Sequence, residues 1–447
     1  MTSPVPSTPA PTDAGPHPGL PGLLDELRWR GLLDRSTPGL PARLATGRTI
    51  AGYNGFDPTA PSLHVGHLVP VFGLLHLQRR GGRPVVVVGG ATGMVGDPSG
   101  RSAERNLLDT APLEANLAGI RRQLERFLDF TPGATGAVVV DNLDWLGPTS
   151  MLDFLRDVGK HFTIPYMLAK DSVQLRLDRG LSYTEFSYML LQAADFLHLY
   201  RELGVELQMG GADQWGNMTA GIELIRRVEG GGTEAEPAHA LCYPLLTDAG
   251  GAKFGKTVEG TSVWLDPQRT SPFAFYQWWL NTSDADVGRY LRFFTLLDRE
   301  RIEALDAETV GRPEARAAQR ALALDITERV HGTEAAEHAV RVSEAAFGRE
   351  PIRDPDVLAT LHADADGFDV PARLSEGSNT MFLADTGLLT SRSEARRMIA
   401  GGGVRINFEP VTDPEAEVAR PIAGEWWHVA IGRRVRRVGR LRRDDPT

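Results

Sequence analysis

From about residue 48 the chain alternates short apolar runs with longer stretches in which apolar residues recur at helical spacing. Residues 49–53 (TIAGY), 84–88 (PVVVV), 137–140 (AVVV) and 205–208 (VELQ) read as strands, and 64–80, 112–127, 151–160 and 184–203 as helices. Strands alternating with helices predict an α/β fold, a doubly wound parallel sheet that binds ligands at the carboxyl ends of its strands. Residues 271–347 read as helices joined by polar turns, and the aromatic stripes of PFAFYQWWLN and VGRYLRFFTLL suit a core. The stretch 351–372 is rich in Pro and Asp and reads as a linker to a small unit from Arg373 onward. Residues 1–22 are rich in Pro, Ser and Thr, without the basic and apolar regions of a signal peptide, and are expected to be a disordered extension.

Composition narrows the class. The 447 residues, 42% hydrophobic and 24% charged, suit a multidomain globular protein. No apolar run approaches the roughly 18–20 residues of a membrane span. Cys242 is the only cysteine, which excludes an internal disulfide and a cysteine metal cluster and makes the cytoplasm the default location. The sequons at Asn217 and Asn281 are then chance matches. The net charge of −10 is uneven: residues 373–447 carry about +3 and the rest about −13. Residues 431–443 (IGRRVRRVGRLRR) hold seven arginines and no acid, which fits either a polyanionic partner or a solvated charge run. Only four of the 48 basic residues are lysines, and Lys253 and Lys256 share one glycine-containing loop, where a compact mobile charge suits phosphate.

That loop, GGAKFGKT at 250–257, matches the pattern of a phosphate-cradling P-loop. A P-loop needs a buried strand before it and a helix after it. Pro244 argues against a central strand upstream, and VEGTSVW downstream is a poor first helical turn. A second candidate lies in GFDPTAPSLHVGHL at 55–68, where His64 and His67 begin a helix whose expected cap is Ser62. Imidazoles there, beside outward-pointing N–H groups, form a site for phosphate or ribose oxygens. Metal binding would need a third ligand, and none is apparent nearby.

H-x-G-H followed much later by K-x-x-K-[ST] resembles the paired signature of class I aminoacyl-tRNA synthetases, with a mobile lysine loop instead of a P-loop. GYNGFDPTAPSLHVGHL, GGATGMVGDPSG, DNLDW, YTEFSYMLLQAADF, QMGGADQWGN and KFGKT are together similar, in order and spacing, to bacterial tyrosyl-tRNA synthetases. The resemblance spans about residues 20–440, whereas the tryptophanyl relatives do not have YTEFSYMLLQAADF or the C-terminal unit. It implies activation of L-tyrosine by ATP with Mg²⁺, then transfer to tRNA(Tyr), by a homodimer with no membrane association. It places the substrate phenol on Tyr53 and Asp195, and the α-ammonium on Asp97, Tyr188 and Gln192, with Gln208 nearby. The i, i+4, i+7 spacing of Tyr188, Gln192 and Asp195 independently puts them on one helix face. For ATP it implies Asp57, His64, His67, Gly211, Asp213, Gln214 and Lys256, and for catalysis His64, His67, Lys253, Lys256 and Thr257. Trp215 reads as packing. Arg101 stands where many relatives carry lysine, and Pro70 falls inside the predicted helix, so the helix starts late or kinks. The C-terminal unit resembles an S4-like RNA-binding module, with Arg392, Arg396 and Arg397 on a helix behind a Thr390–Ser391 cap and VRIN as a strand after Gly401–Gly403. The expected domains are 23–265 catalytic, 266–350 helical, 351–372 linker and 373–447 RNA-binding. Another adenylyl-transferring enzyme of the superfamily and a non-catalytic RNA-binding relative are the alternatives.

Overall fold

The structure, a computed structural model, describes residues 17–58, 60–97, 111–170, 173, 174, 177, 180–230, 237–251, 254, 255, 261–348, 350–432 and 435–442. It forms two compact units, one from Met1–Asp266 and Thr282–Leu322, the other from Pro267–Asn281 and Ala323–Thr447.

In the first unit the strands are β1 (Arg35–Ser36), β2 (Ala51–Phe56), β3 (Arg83–Val88), β4 (Val138–Asp141), β5 (Val205–Gly211) and β6 (His239–Tyr243), in the order β1-β6-β5-β2-β3-β4. All neighbours are parallel except β1 with β6. The chain runs outward from β2 through β3 to β4, then returns to the other side for β5 and β6. That reversal opens a crevice at the carboxyl ends of β2 and β5. Tyr53 pairs in register with Val85 on one side and Gln208 on the other, so Tyr53 and Gln208 stand level across the reversal.

The four expected strands are present with shifted ends, and Pro84 sits near the start of β3, where a missing donor costs least. Strand β6 was not expected. Its sequence, HALCY, has no β-branched residue, and Pro244 lies just beyond its end instead of inside it. The helix expected over 64–80 begins as a 3-10 turn, Val65–His67, and becomes α-helical at Leu68–Arg79. Pro70 therefore falls in the first α-turn, where its N–H has no helical partner to lose. Helix Tyr183–Leu203 opens with the Ser182 hydroxyl accepting from Glu185 N–H and closes at Gly204, whose φ of 64° suits glycine.

The units cut across the expected helical domain 266–350. Helix Asp284–Phe294 belongs to the first unit because Phe294 packs against Phe72, ring centroids 6.0 Å apart. Helix Pro272–Leu280 belongs to the second, where Phe275 meets His331 edge-on at 4.9 Å. As expected, the aromatic stripes are core: Phe275, Trp279, Phe293 and Phe294 are buried.

The second unit holds β7 (Phe368–Pro371), β8 (Val404–Ile406), β9 (Glu409–Pro410), β10 (Trp426–Ile431) and β11 (Val435–Arg442), ordered β7-β11-β10-β8-β9. The 351–372 stretch, read as a linker, contains helix Pro355–Asp364 and β7. Val357, Leu358 and Leu361 give that helix a buried face despite its acidic composition. The arginine-rich 431–443 run is neither tail nor simple charge run over its described part, since β11 is an interior strand. Arg436 donates to the carbonyls of Ala346 and Gly348, and Arg437 to that of Asp366. Arg440 approaches Glu425 and lies over the Trp426 ring.

Gly73 in helix Leu68–Arg79 faces the buried Tyr243 phenol, and a Cβ there would stand 1.9 Å from its hydroxyl oxygen. Gly73→Ala should destabilise the first unit by about 1–3 kcal/mol, an overpacking cost. The urea midpoint of unfolding measures this, and an unchanged midpoint would show that Tyr243 has room to move.

Candidate active site

A cavity of about 380 Å³ lies at the carboxyl ends of β2 and β5. From β2 and the turn after it come Tyr53, Asn54 and Asp57; from the next turn, His64 and His67. Helix Tyr183–Leu203 supplies Tyr188, Gln192 and Asp195, and β5 with its following turn supplies Gln208, Gly211, Asp213 and Gln214. Asp97 and Phe254 complete this part of the wall. Every site residue named from the sequence for tyrosine or ATP lines this one cavity except Lys256, which with Lys253, Thr257 and Arg101 lies outside the described residues.

Around the cavity three buried polar atoms, the Tyr53 hydroxyl, Asn54 Oδ1 and Gln208 Oε1, have no hydrogen-bond partner among the described residues. Such atoms are costly in a folded protein unless a ligand or water satisfies them. Asp195 is held differently. Its carboxylate accepts from Trp145 Nε1 at 2.7 Å and from Asn142 Nδ2 at 3.0 Å. Asn142 is itself fixed, donating to Thr92 Oγ1 and accepting from Ala91 N–H. Burial pushes the Asp195 carboxyl up to about 7; the two donors pull it down, and Asp141 and Asp57 push it up. Burial, then the charge of Asp195, holds the Tyr53 phenol well above its usual range, so it remains an O–H donor. Burial likewise raises Tyr188, helped by Asp57, Asp97 and Asp195, against a hydrogen bond with Thr92. This end of the cavity thus offers a donor and an acceptor for a hydroxyl, beside an acidic wall suited to a cation. The sequence reading assigned no role to Asn142, Trp145 or Thr92. DNLDW was the available signal for the first two.

At the other end, the expected Ser62 cap is replaced by the histidines themselves. Ser62 Oγ is occupied, donating to the Leu63 carbonyl and accepting from Gln123 Nε2 and Asp266 N–H. His64 Nδ1 accepts from Gly66 N–H at 3.0 Å, and His67 Nδ1 accepts from His64 N–H at 3.1 Å. Nδ1 lies as far from the backbone as an asparagine Oδ1, so it caps as asparagine does. A neutral imidazole that accepts at Nδ1 carries its proton on Nε2. Both rings, 3.9 Å apart, are therefore set as Nε2–H donors. Gly66 is required here, because a Cβ would stand 2.8 Å from the His64 ring.

The lysine loop meets this turn directly. Val65 N–H donates to the Val263 carbonyl and Leu265 N–H to that of Leu63, so the return of the loop pairs with the histidine segment. Gly255, at φ 94°, lies against Val65 and Gly66. Phe254 is anchored by stacking on Phe294 at 5.2 Å and meeting Tyr290 at 5.0 Å. Strand β6 ends at Tyr243, with 244–249 between it and the glycines, and the chain beyond the loop is extended at 263–265, so this is not a P-loop. Among the described residues no group of three or more His, Cys, Asp or Glu is placed to hold a metal, and no helix is long and apolar enough to cross a membrane.

In the second unit, Arg392, Arg396 and Arg397 are exposed on helix Arg392–Ala400, which Ser391 caps by accepting from Glu394 N–H. Gly402, at φ 67°, turns the chain into β8, the expected VRIN strand. Arg392 pairs with Asp385 at 3.1 Å and Arg396 with Glu415 at 2.9 Å. Arg397 has no ion-pair partner among the described residues.

Residues 45–348 match the family model of class I tRNA synthetases (W and Y), and 381–420 match the S4 domain. The chain is 50% identical over 392 residues to a tyrosine–tRNA ligase of Roseiflexus castenholzii, covering 86% of this chain and 91% of that one. It is 52% identical over 400 residues to one of Anaeromyxobacter dehalogenans, covering 89% and 93%. Among solved structures it resembles a C-terminally truncated mitochondrial tyrosyl-tRNA synthetase of Coccidioides posadasii, with a TM-score of 0.62, 31% identity and coverage of 71% and 91%.

Because the Asp195 carboxyl stands at about 7, above its unfolded value near 3.8, its contribution favours the folded state below about 3.8 and is lost as pH rises toward 7. Asn142→Leu or Trp145→Phe removes a donor to the charged form and should move the midpoint above 7, read by carboxyl NMR of Asp195. A midpoint that stays or falls would show that these donors do not support the carboxylate.

Proposed function

The chain belongs to the class I tRNA synthetases (W and Y), and on that premise we propose that it is a tyrosine–tRNA ligase. It joins L-tyrosine to ATP, releases pyrophosphate, and passes the tyrosyl group to the 3′ end of tRNA(Tyr). The observation that carries the tyrosine assignment is that the Tyr53 hydroxyl, without a hydrogen-bond partner among the described residues, lines one cavity with the Asp195 carboxylate. A phenol hydroxyl accepts from the first and donates to the second. An indole N–H only donates and would leave Tyr53 unpaired.

Asp97, Tyr188 and Gln192 receive the α-ammonium, and Gln208 lines the pocket beside Tyr53. The substrate carboxylate is already ionised near pH 7, so its oxygen attacks the α-phosphorus of ATP without a general base. The new bond joins carboxyl oxygen to phosphorus, and the bond to pyrophosphate breaks. Acceleration then rests on positioning and on stabilising charge at the phosphates. The Nε2–H groups of His64 and His67 serve the phosphate oxygens, and Lys253, Lys256 and Thr257 the departing pyrophosphate. Asp213 binds ribose. Gly211 keeps the backbone open there, since a Cβ would stand 2.6 Å from the Asp213 carboxylate. Asp57 and Gln214 border the same nucleotide, and ATP brings Mg²⁺ as part of the substrate. In the second step a terminal ribose hydroxyl attacks the tyrosyl carbonyl, the ester forms and AMP leaves. The exposed apolar side chains of Met151, Leu152, Leu155 and Ile164 support pairing of two copies of the chain in the cytoplasm, where the substrates of translation are.

Tyrosine-dependent exchange of pyrophosphate into ATP tests the assignment, and its absence, or equal exchange with tryptophan, would overturn it. In the same assay Asp195→Ala should reduce discrimination against phenylalanine by roughly tenfold or more, as the polar pocket loses its charged partner. Arg397→Glu should depress tRNA charging and flatten its salt dependence while leaving exchange intact, because an exposed phosphate contact is lost. Parallel loss of both activities would instead make this helix a structural element only.

A further inference from the structure

Asn217, on helix Trp215–Glu229, is 4% exposed and lies behind the cavity wall. Its Nδ2 donates to Gln192 Oε1 at 2.9 Å and to Gln214 Oε1 at 3.2 Å. Gln214 in turn donates through Nε2 to Asp97 at 2.6 Å. The polarity of this chain is dictated from one end. A carboxylate only accepts, so Gln214 must turn its Nε2 to Asp97 and its Oε1 away. Oε1 then needs a donor, and among the described residues Nδ2 of Asn217 supplies it. The second N–H on the same nitrogen diverges toward Gln192, whose facing atom must be Oε1.

We propose that Asn217 is a positioning residue that transmits the orientation set by Asp97 to Gln192 and fixes the Gln192 carbonyl oxygen as an acceptor for the α-ammonium of the substrate. This rests on the tyrosine reading. The Gln192 oxygen has two lone pairs, of which Asn217 engages one and leaves one for a cation. Without Asn217 the amide is free to reverse and to present N–H groups to an ammonium, which repels them. A buried amide bridging two others is an expensive way merely to fill space, since an apolar side chain does so without obligations to neighbours.

The test compares L-tyrosine with 3-(4-hydroxyphenyl)propionate, which keeps phenol and carboxylate but lacks the amino group, by calorimetry on the full chain. Asn217→Leu should weaken tyrosine binding roughly tenfold, the loss of one hydrogen bond to a charged group, and leave the analogue unchanged. Asn217→Asp, an acceptor of the same size, forces the Gln192 amide to reverse and should weaken tyrosine further. In pyrophosphate exchange the change should appear in KM for tyrosine, with kcat largely kept. Gln192→Leu in the otherwise unaltered chain should show the same selectivity, whether or not the position-217 variants fold. Equal losses for both ligands in Gln192→Leu, or in a folded Asn217→Leu, would overturn the inference and leave the tyrosine reading standing. Failure of the unaltered chain to bind tyrosine would overturn both.

Discussion

The pairing of β2 with β5 is the constraint on which the site depends. These strands are neighbours in space but are separated in sequence by more than a hundred residues that build the other side of the sheet. Where the winding reverses, the connections leave in opposite directions, and a crevice at the strand ends is a product of the topology. Tyr53 and Gln208 are level because the parallel register makes them so. The helices that follow or precede these strands bring their own polar faces to the same opening.

The parts of the site that follow local periodicity were legible from the residues alone. Tyr188, Gln192 and Asp195 declare a polar face on an otherwise apolar helix, and Ser182 and Gly204 mark its ends. Asn142 and Trp145 were not legible as partners of Asp195. They sit just past the end of β4, and only the strand order brings them beside a helix some 50 residues on. Strand β6 escaped because HALCY lacks β-branched residues. Strand β11 was hidden for another reason: adjacent arginines break its alternation, although two of them also donate to backbone carbonyls. The helix at 355–364 was masked by acidic residues on its outer face.

The cavity is divided electrostatically. At one end burial, and after it the neighbouring carboxylates, raises the Asp195 carboxyl and the Tyr188 phenol, an arrangement suited to a cation and a hydroxyl. At the other end the ligands are N–H groups from imidazoles at a helix start, which favours anions. The two ends therefore present opposite fields in adjoining spaces, one suited to a cation and the other to an anion.

The two capping histidines also bear on the entropy of binding at this end of the cavity. A side chain that donates to a bound anion normally loses rotational freedom when the anion arrives, and that entropy opposes binding. His64 and His67 have already lost it, because each ring is locked by its own Nδ1 to a backbone N–H at the helix start. Their immobilisation is settled once, during folding, by the same hydrogen bonds that begin the helix. An anion that reaches these rings meets donors that are already still.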